Sequence, residues 1–334
     1  MRRIPDARRL SALVAAGSDV DDGVRQVARR IAALHLRCGR SPAADDAAQG
    51  AAVLGRWEAN HAGLAPLSHL LAEPELAERA IALARRYVAG RDPLFVDRIA
   101  AGRAVDGHGD LLADNIFLLA PGPRVLEAIE FGAPAGDGLV DVALLAMDLE
   151  RLGASGLAKR FLAWYAEFTA DRWPPSLAHF YIAYQAQVRA GVASRRAAQE
   201  GRTEARDADE LLRLAERHLE AGKVNLVLAG GAPGATAVVP ASAARSERVM
   251  LRSEEVREEL AGIPAATPAS APLCAGVYSP VMTSLTYAEL LHRARVLLER
   301  GETVVLDATW GEQSWREEAR RVAAHASAEL IELC

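Results

Sequence analysis

The chain has 334 residues, 51% of them hydrophobic and 25% charged, with a formal net charge of −5 at pH 7. That length suits about two domains, each able to bury a core, and the charge excludes a global basic field for nucleic acid or an anionic membrane. The three cysteines, Cys38, Cys274 and Cys334, are far apart and odd in number, which excludes a disulfide framework or zinc spacing and points to a reducing cytoplasm.

The start, MRRIPDARRLSALV, is basic, but its apolar run is short and broken by Ser11, so it does not read as an export signal. No apolar stretch approaches the roughly 20 residues of a membrane helix. DDGVRQVARRIAALHLRC predicts a helix, because Val24, Val27, Ile31 and Leu34 recur at helical spacing. Asp21 and Asp22 stand at its start, where the helix dipole favours negative charge. Residues 74–90 and 92–103 also read as helices. The loop HGDLLADN follows, then a strand at 115–119, a turn at PGP and a second strand, RVLEAIEF; two short strands around a turn predict a hairpin. DVALLAMDLERLG, SGLAKRFLAWYAEFTADRW and LAHFYIAYQAQVRAGVASRRAAQ are amphipathic helices. Residues 1–200 thus read as mainly helical with one inserted hairpin, and 201–222 as a charged connecting helix.

Composition then changes. KVNLVLAGGAPGA is a buried-type strand running into a glycine-rich turn, and RVMLRSEEVREEL is strand then helix. Residues 262–281 are a Pro/Ala/Ser-rich loop. TYAELLHRARVLLERG is a helix, ETVVLDATW a strand, 315–326 a helix and ELIEL a closing strand. Strands alternating with helices predict a parallel sheet. The expected fold class is α/β in two modules, a mainly helical one over 1–200 and a partial parallel one over 223–334.

The stretch VDGHGDLLADNIFLL carries the chemistry. A phosphoryl-transfer site needs a carboxylate near the acceptor hydroxyl and oxygen ligands for Mg²⁺. Asp110 could align or deprotonate a hydroxyl, Asn115 could supply a metal oxygen, Glu130 on the next strand could supply a second, and His108 would brace the loop. Each has a plain structural reading too: Asp and Asn are ordinary turn formers.

HGDLLADNIF resembles the catalytic-loop motif of the aminoglycoside phosphotransferase and choline kinase group, which shares a protein-kinase-like fold. GDGLVDVALLAMDLE, with Asp141 and Asp148, resembles the segment that follows the metal-binding acid in that group, and FYIAYQAQVRA resembles its late helices. The resemblance covers nearly all of residues 1–200. It implies a helical kinase C-lobe, ATP and Mg²⁺ as cofactors, Asp110 as catalytic base, and Asn115 and Glu130 as magnesium ligands. Two departures accompany it. Leu112 stands where the group commonly has His. Nothing before residue 105 reads as the β-rich small lobe with its lysine and nucleotide-covering loop, and MRRIPDARRLSALV resembles the hinge that leaves that lobe.

LVLAGGAPGATAVV lies at a strand-to-helix junction, where a phosphate loop belongs. The pattern GxxxxGK[ST] started at Gly231 requires Gly, Lys and Ser/Thr at positions occupied by Thr236, Ala237 and Val238. Gly230, Gly231 and Gly234 remain as the candidate nucleotide-binding turn. The surroundings resemble a P-loop small-molecule kinase of the gluconate kinase and chloramphenicol phosphotransferase type: RSEEVREELAG matches its RSDxxR segment with Glu254 for Asp, and VVLDATW its later strand, with Asp307 at the strand end. Both modules in this order resemble bacterial proteins described as fused aminoglycoside-phosphotransferase-like and P-loop ATPase domains.

Two functional readings stay open. One is an ATP/Mg-dependent phosphotransferase-family protein acting on a small hydroxylated acceptor, with an inactive P-loop module. The other is a non-catalytic remnant or binding protein. A start at an internal methionine, with a complete first lobe upstream, is a third expectation. Neither nucleic acid nor membrane is an expected partner; oligomeric state is open.

Overall fold

Apolar spacing builds the first helices. In the computed structural model, which describes residues 4–38, 40–126, 135–230, 248–263 and 276–333, a short helix α1 (Leu10–Ala15) precedes α2 (Asp21–Arg37). Val24, Val27 and Ile31 are buried on α2, and Asp21 and Asp22 fill its first turn. The sequence reading had no helix at α1; six residues give too little periodicity to see one. α3 (Pro42–Ala48) starts where the Ser41 hydroxyl accepts from the Ala44 amide, with Pro42 at its first position. α4 (Gly50–Leu64), α5 (Glu75–Val88) and α6 (Asp92–Ala100) follow.

Two small antiparallel pairs come next. β1 (Ala104–Asp106) pairs with β4 (Ala135–Asp137), and β2 (Ile116–Phe117) with β3 (Arg124–Val125). The β2–β3 pair is the predicted hairpin, but it is shorter: the expected 115–119 strand shrinks to Ile116–Phe117. Beyond it the chain pairs with its own beginning, Leu118 N–H donating to the Arg8 carbonyl. The second predicted strand likewise ends at Val125, and its residues 127–131, Glu130 included, lie outside the described residues.

α7 (Gly138–Arg151), α8 (Ser155–Thr169), α9 (Pro175–Gln199) and α10 (Arg206–Ala221) complete the helical part. α7 is not the amphipathic helix expected: it is buried from Leu139 through Leu149 except at Val140, Asp141 and Asp148 included. α2 and α7 pack on α8, and α5 packs on α10. Tyr87 stacks on Phe180 at 4.4 Å and Trp57 lies against the same ring at 5.6 Å.

The last third is α/β. β5 (Asn225–Ala229), β6 (Arg248–Arg252), β7 (Thr303–Asp307) and β8 (Glu329–Leu333) form one parallel sheet in the order β6-β7-β5-β8. The central strands β5 and β7 are buried, apolar runs, as sheets covered on both faces require. α11 (Ser253–Ala261), α12 (Pro280–Leu298) and α13 (Gln313–His325) connect them. α12 begins at Pro280 rather than Thr286, so the predicted 262–281 loop ends earlier. The Ser279 hydroxyl caps the Met282 amide and Pro280 takes the first helical position, a start signal hidden in a Pro/Ser-rich run.

The chain is thus α/β in two modules. By internal contacts it divides into one unit of Met1–Val88, Phe95–Trp173 and Leu177–Gly222, and another of Ala89–Leu94, Pro174–Ser176 and Lys223–Cys334. The short 174–176 piece joins the second unit through the Ser176 hydroxyl, which donates to the Gly301 carbonyl at 2.7 Å. Among the described residues no helix is long and apolar enough to cross a membrane.

Candidate functional site

The loop between β1 and β2 folds back on itself. Leu112 N–H donates to the Asp110 carbonyl and Asn115 N–H to the Leu112 carbonyl, both at 2.9 Å, closing a turn that ends in a 3₁₀ segment, Ala113–Asn115. This brings Asn115 onto Asp110. The Asn115 amide donates to the Asp110 carbonyl at 3.0 Å and to Asp110 Oδ2 at 2.7 Å. Both partners are acceptors, so the nitrogen must be the atom that faces them. The Asn115 Oδ1 and Asp110 Oδ1 atoms then have no protein partner among the described residues. Two oxygens, one carboxylate and one amide, stand half-buried on one short loop.

The loop is held by its backbone. Asp141 on α7 accepts from the amides of His108 and Gly109, each at 2.7 Å. One turn pair further along the same helix, Asp148 accepts from the Ala113 amide at 2.9 Å and is itself bound by Arg151. Behind Asp141 stands His35 of α2, with Nε2 at 3.1 Å from Oδ2 and Nδ1 at 2.8 Å from the Tyr165 hydroxyl. Burial raises the Asp141 pKa, but the hydrogen bond and charge of His35 and the two loop amides outweigh it, so the carboxyl is held below its ordinary value. The fit is close: a Cβ on Gly107 would sit 3.1 Å from the Asp141 carboxyl carbon, and one on Gly138 3.1 Å from His35 Nδ1.

The start of α7 is fixed by a second buried cluster. Asp137 caps the Leu139 amide at 2.9 Å and receives both Arg98 Nε at 2.8 Å and Nη2 at 2.6 Å. Asp171 takes the other side of the same guanidinium at 2.7 Å. Burial works against the Arg98 charge, and these two carboxylates more than offset it, so its pKa lies above an ordinary arginine's. Burial, with Asp137 and Asp171 nearby, likewise raises the Tyr165 pKa.

His108 contributes mainly its backbone. Its Nδ1 is 3.4 Å from the Asp110 amide, and its Nε2 is buried without a partner among the described residues. Glu130 lies outside the described residues. His35 was not among the predicted site residues. Its signal was its place: it lies on the buried face of α2, one turn after Ile31.

In the second unit, Ala229 and Asp307 are register partners at the C-terminal ends of β5 and β7. Gly230 follows Ala229, its amide donating to the Leu333 carbonyl at 3.3 Å; Gly231 and Gly234 lie outside the described residues. The ends of parallel strands are where such sheets take ligands. Asp307 Oδ2 is 3.8 Å from Arg252 Nε. Glu254 accepts from Arg257 and, at 2.9 Å, from the Tyr278 hydroxyl, while the Arg257 guanidinium lies 4.9 Å over the Tyr278 ring. Trp310 and Trp315 are packing residues: Trp315 stacks on Tyr287 at 5.0 Å and Trp310 meets it edge-on at 5.4 Å.

Comparison with known proteins bears on both units. Residues 226–334 match the family model of an AAA domain, a P-loop kinase-like module that starts on β5. Three mycobacterial proteins, the uncharacterized proteins Rv2004c and MT2060 of Mycobacterium tuberculosis and Mb2027c of Mycobacterium bovis, are each 38% identical over 337 residues, covering 99% of this chain and 68% of the relative. The chain belongs to their family. The similarity to them runs through both the helical first unit and the P-loop kinase-like second one of this chain. No solved structure matches the chain significantly.

Proposed function

We propose that the first unit is a phosphotransferase centre that uses ATP and Mg²⁺ on a small hydroxylated acceptor. The Asp110–Asn115 pair carries this reading, supported by the likeness of HGDLLADNIF to the aminoglycoside phosphotransferase and choline kinase loop. The donor set fits the metal: carboxylate and amide oxygens are the hard ligands Mg²⁺ takes, and Asn115 keeps its oxygen available because its nitrogen is spent on Asp110. Asn115 and Glu130 would hold the ion, which when bound offsets charge on the phosphates. Asp110 Oδ1 receives the proton of the acceptor hydroxyl, while Oδ2 stays fixed by Asn115. His108 supports the turn.

The second unit is a P-loop kinase-like module by family, and Gly230, Gly231, Gly234 and Asp307 are its proposed nucleotide-facing residues. It contributes no hydrolysis in this reading, because Ala237 stands where the phosphate-binding ammonium belongs. That substitution also favours the second reading, a non-catalytic binding protein.

Thermal shift with Mg-ATP, paired with phosphotransfer to a panel of amino and hydroxyl acceptors, tests the proposal. Mg-ATP raises Tm of the wild type, and Asn115→Ala abolishes the shift. Asp110→Asn lowers kcat by about 10²- to 10⁴-fold, the usual weight of a general base. Undiminished turnover in Asp110→Asn overturns the proposal; absence of any shift or turnover in the wild type leaves the binding-protein reading.

A further inference from the structure

Three helices of the first unit meet at a histidine pair that the loop does not use. His179 on α9 and His218 on α10 face each other Nδ1 to Nδ1 at 2.8 Å, and His218 Nε2 is 2.9 Å from Glu150 Oε2 on α7. Burial is deep on the inner side: the His218 side chain is 9% exposed and that of Glu150 16%.

The proton inventory follows from chemistry. A carboxylate only accepts, so His218 Nε2 carries a proton toward Glu150. The 2.8 Å contact between the two Nδ1 atoms is a hydrogen bond only when one proton lies between them. A first added proton is tolerated, because one imidazolium donates to one neutral ring. A second places N–H against N–H and two positive rings in contact. The charged groups bearing on His179 are His218 from α10, Glu150 from α7 and Lys159 from α8. His218 and Lys159 disfavour a charge on His179, and only Glu150 favours it.

We propose that His179, His218 and Glu150 form a proton-limited latch that ties the C-terminal half of α10 to α9 and α7 and loosens it when a proton is added to His179 that the contact between the two Nδ1 atoms has no room for. The N-terminal half keeps its own anchor, the Asp209 carboxylate that accepts the Ala72 and Glu73 amides. The C-terminal half is held besides by the burial of Leu214, Ala215 and Leu219 and by the Arg79–Glu216 pair, so release loosens only the end of α10, about residues 214–221. This is the last helix before the chain enters the second unit at Lys223. The surroundings also disfavour a charge on His179: burial first, and His218 second, push it down from 6.5 to about 4.

Hydrogen exchange of the full chain at pH 7 and pH 4.5, corrected for the intrinsic rate, reads the latch directly. A freed His179 titrates normally, so the open population rises by roughly ten- to a hundredfold at pH 4.5. The amides of 214–221 speed up by that factor while those near Asp209 do not. His179→Asn puts a non-titrating amide N–H where the ring's Nδ1 stands, and it removes the acceleration. Equal acceleration in wild type and His179→Asn overturns the latch. Should His179→Asn be unprotected even at pH 7, the proton NMR titration of wild-type His179 decides. A midpoint below 6.5 that rises in His218→Gln upholds the latch, and one that His218→Gln leaves unchanged overturns it.

Discussion

Asp141 does the work of three hydrogen bonds with one buried carboxylate, and its removal leaves the His108 and Gly109 amides and the His35 ring unanswered. Asp141→Ala is expected to cost about 3–5 kcal/mol, the range for breaking a buried charged pair, measured as loss of urea midpoint at pH 7. Because its folded pKa lies below the unfolded value of 3.8, Asp141 contributes stability that is full above that value and lost as pH falls through the folded one. The penalty of Asp141→Ala therefore shrinks below about pH 4. At this scale the sequence was partly legible. Asp110 and Asn115 were readable from spacing alone, and the structure puts them in contact. Asp141 came only from the resemblance, and His35 came from neither, because a lone buried histidine looks the same whether it braces a site or fills a core.

Among the elements, starts and turns decide more than helix interiors. Ser279→Ala should lower stability by about 1 kcal/mol in a denaturant melt, the usual value of an N-cap, because its hydroxyl is the partner of the Met282 amide. Gly301 presents a harder limit. Its φ is +83°, and a Cβ there would lie 2.8 Å from Ser176 Oγ and 3.0 Å from Pro174 Cγ. Gly301→Ala is expected to destabilise by more than about 1 kcal/mol, through both strain and clash, read as a fall in Tm of the second unit's transition. Neither constraint was visible in the sequence. A serine before a proline disappears in a Pro/Ala/Ser-rich run, and a glycine after a helix announces a turn but not who stands beside it. The long amphipathic helices were legible because many residues repeat one signal. The three-residue strands β1 and β4 were not, since they are too short to alternate.

For the molecule as a whole, the order of elements was enough to read two modules, and the 226–334 family match begins on the strand where composition changes. Which groups set its acid stability could not be read, because that depends on side chains brought together across more than a hundred positions, as His35 is to Asp141. The pH curve should show this. His179, held down at about 4, makes the unfolded state bind the extra proton between pH 6.5 and 4, so stability falls with acid across that window. Glu150, lowered from 4.5 by the His218 bond and charge against opposing burial, adds loss only as pH drops further, through its folded value. Tm measured from pH 8 to pH 3 is expected to decline in two limbs, and His179→Asn should flatten the upper one alone.

The loop hangs from α7 by main-chain amides at Asp141 and Asp148, and this sets an unusual rule for inheritance. The letter at 108 can drift most, since the attachment there is the main-chain amide, whereas Gly109 at φ +84° and the fully buried Ala113 are held by backbone conformation and packing. Spacing cannot drift at all. One codon inserted between the two acids would rotate the downstream one by about 100° around the axis, away from its amide. Descendants of this gene should therefore keep that interval of helix free of insertions and deletions even where its wording has been rewritten.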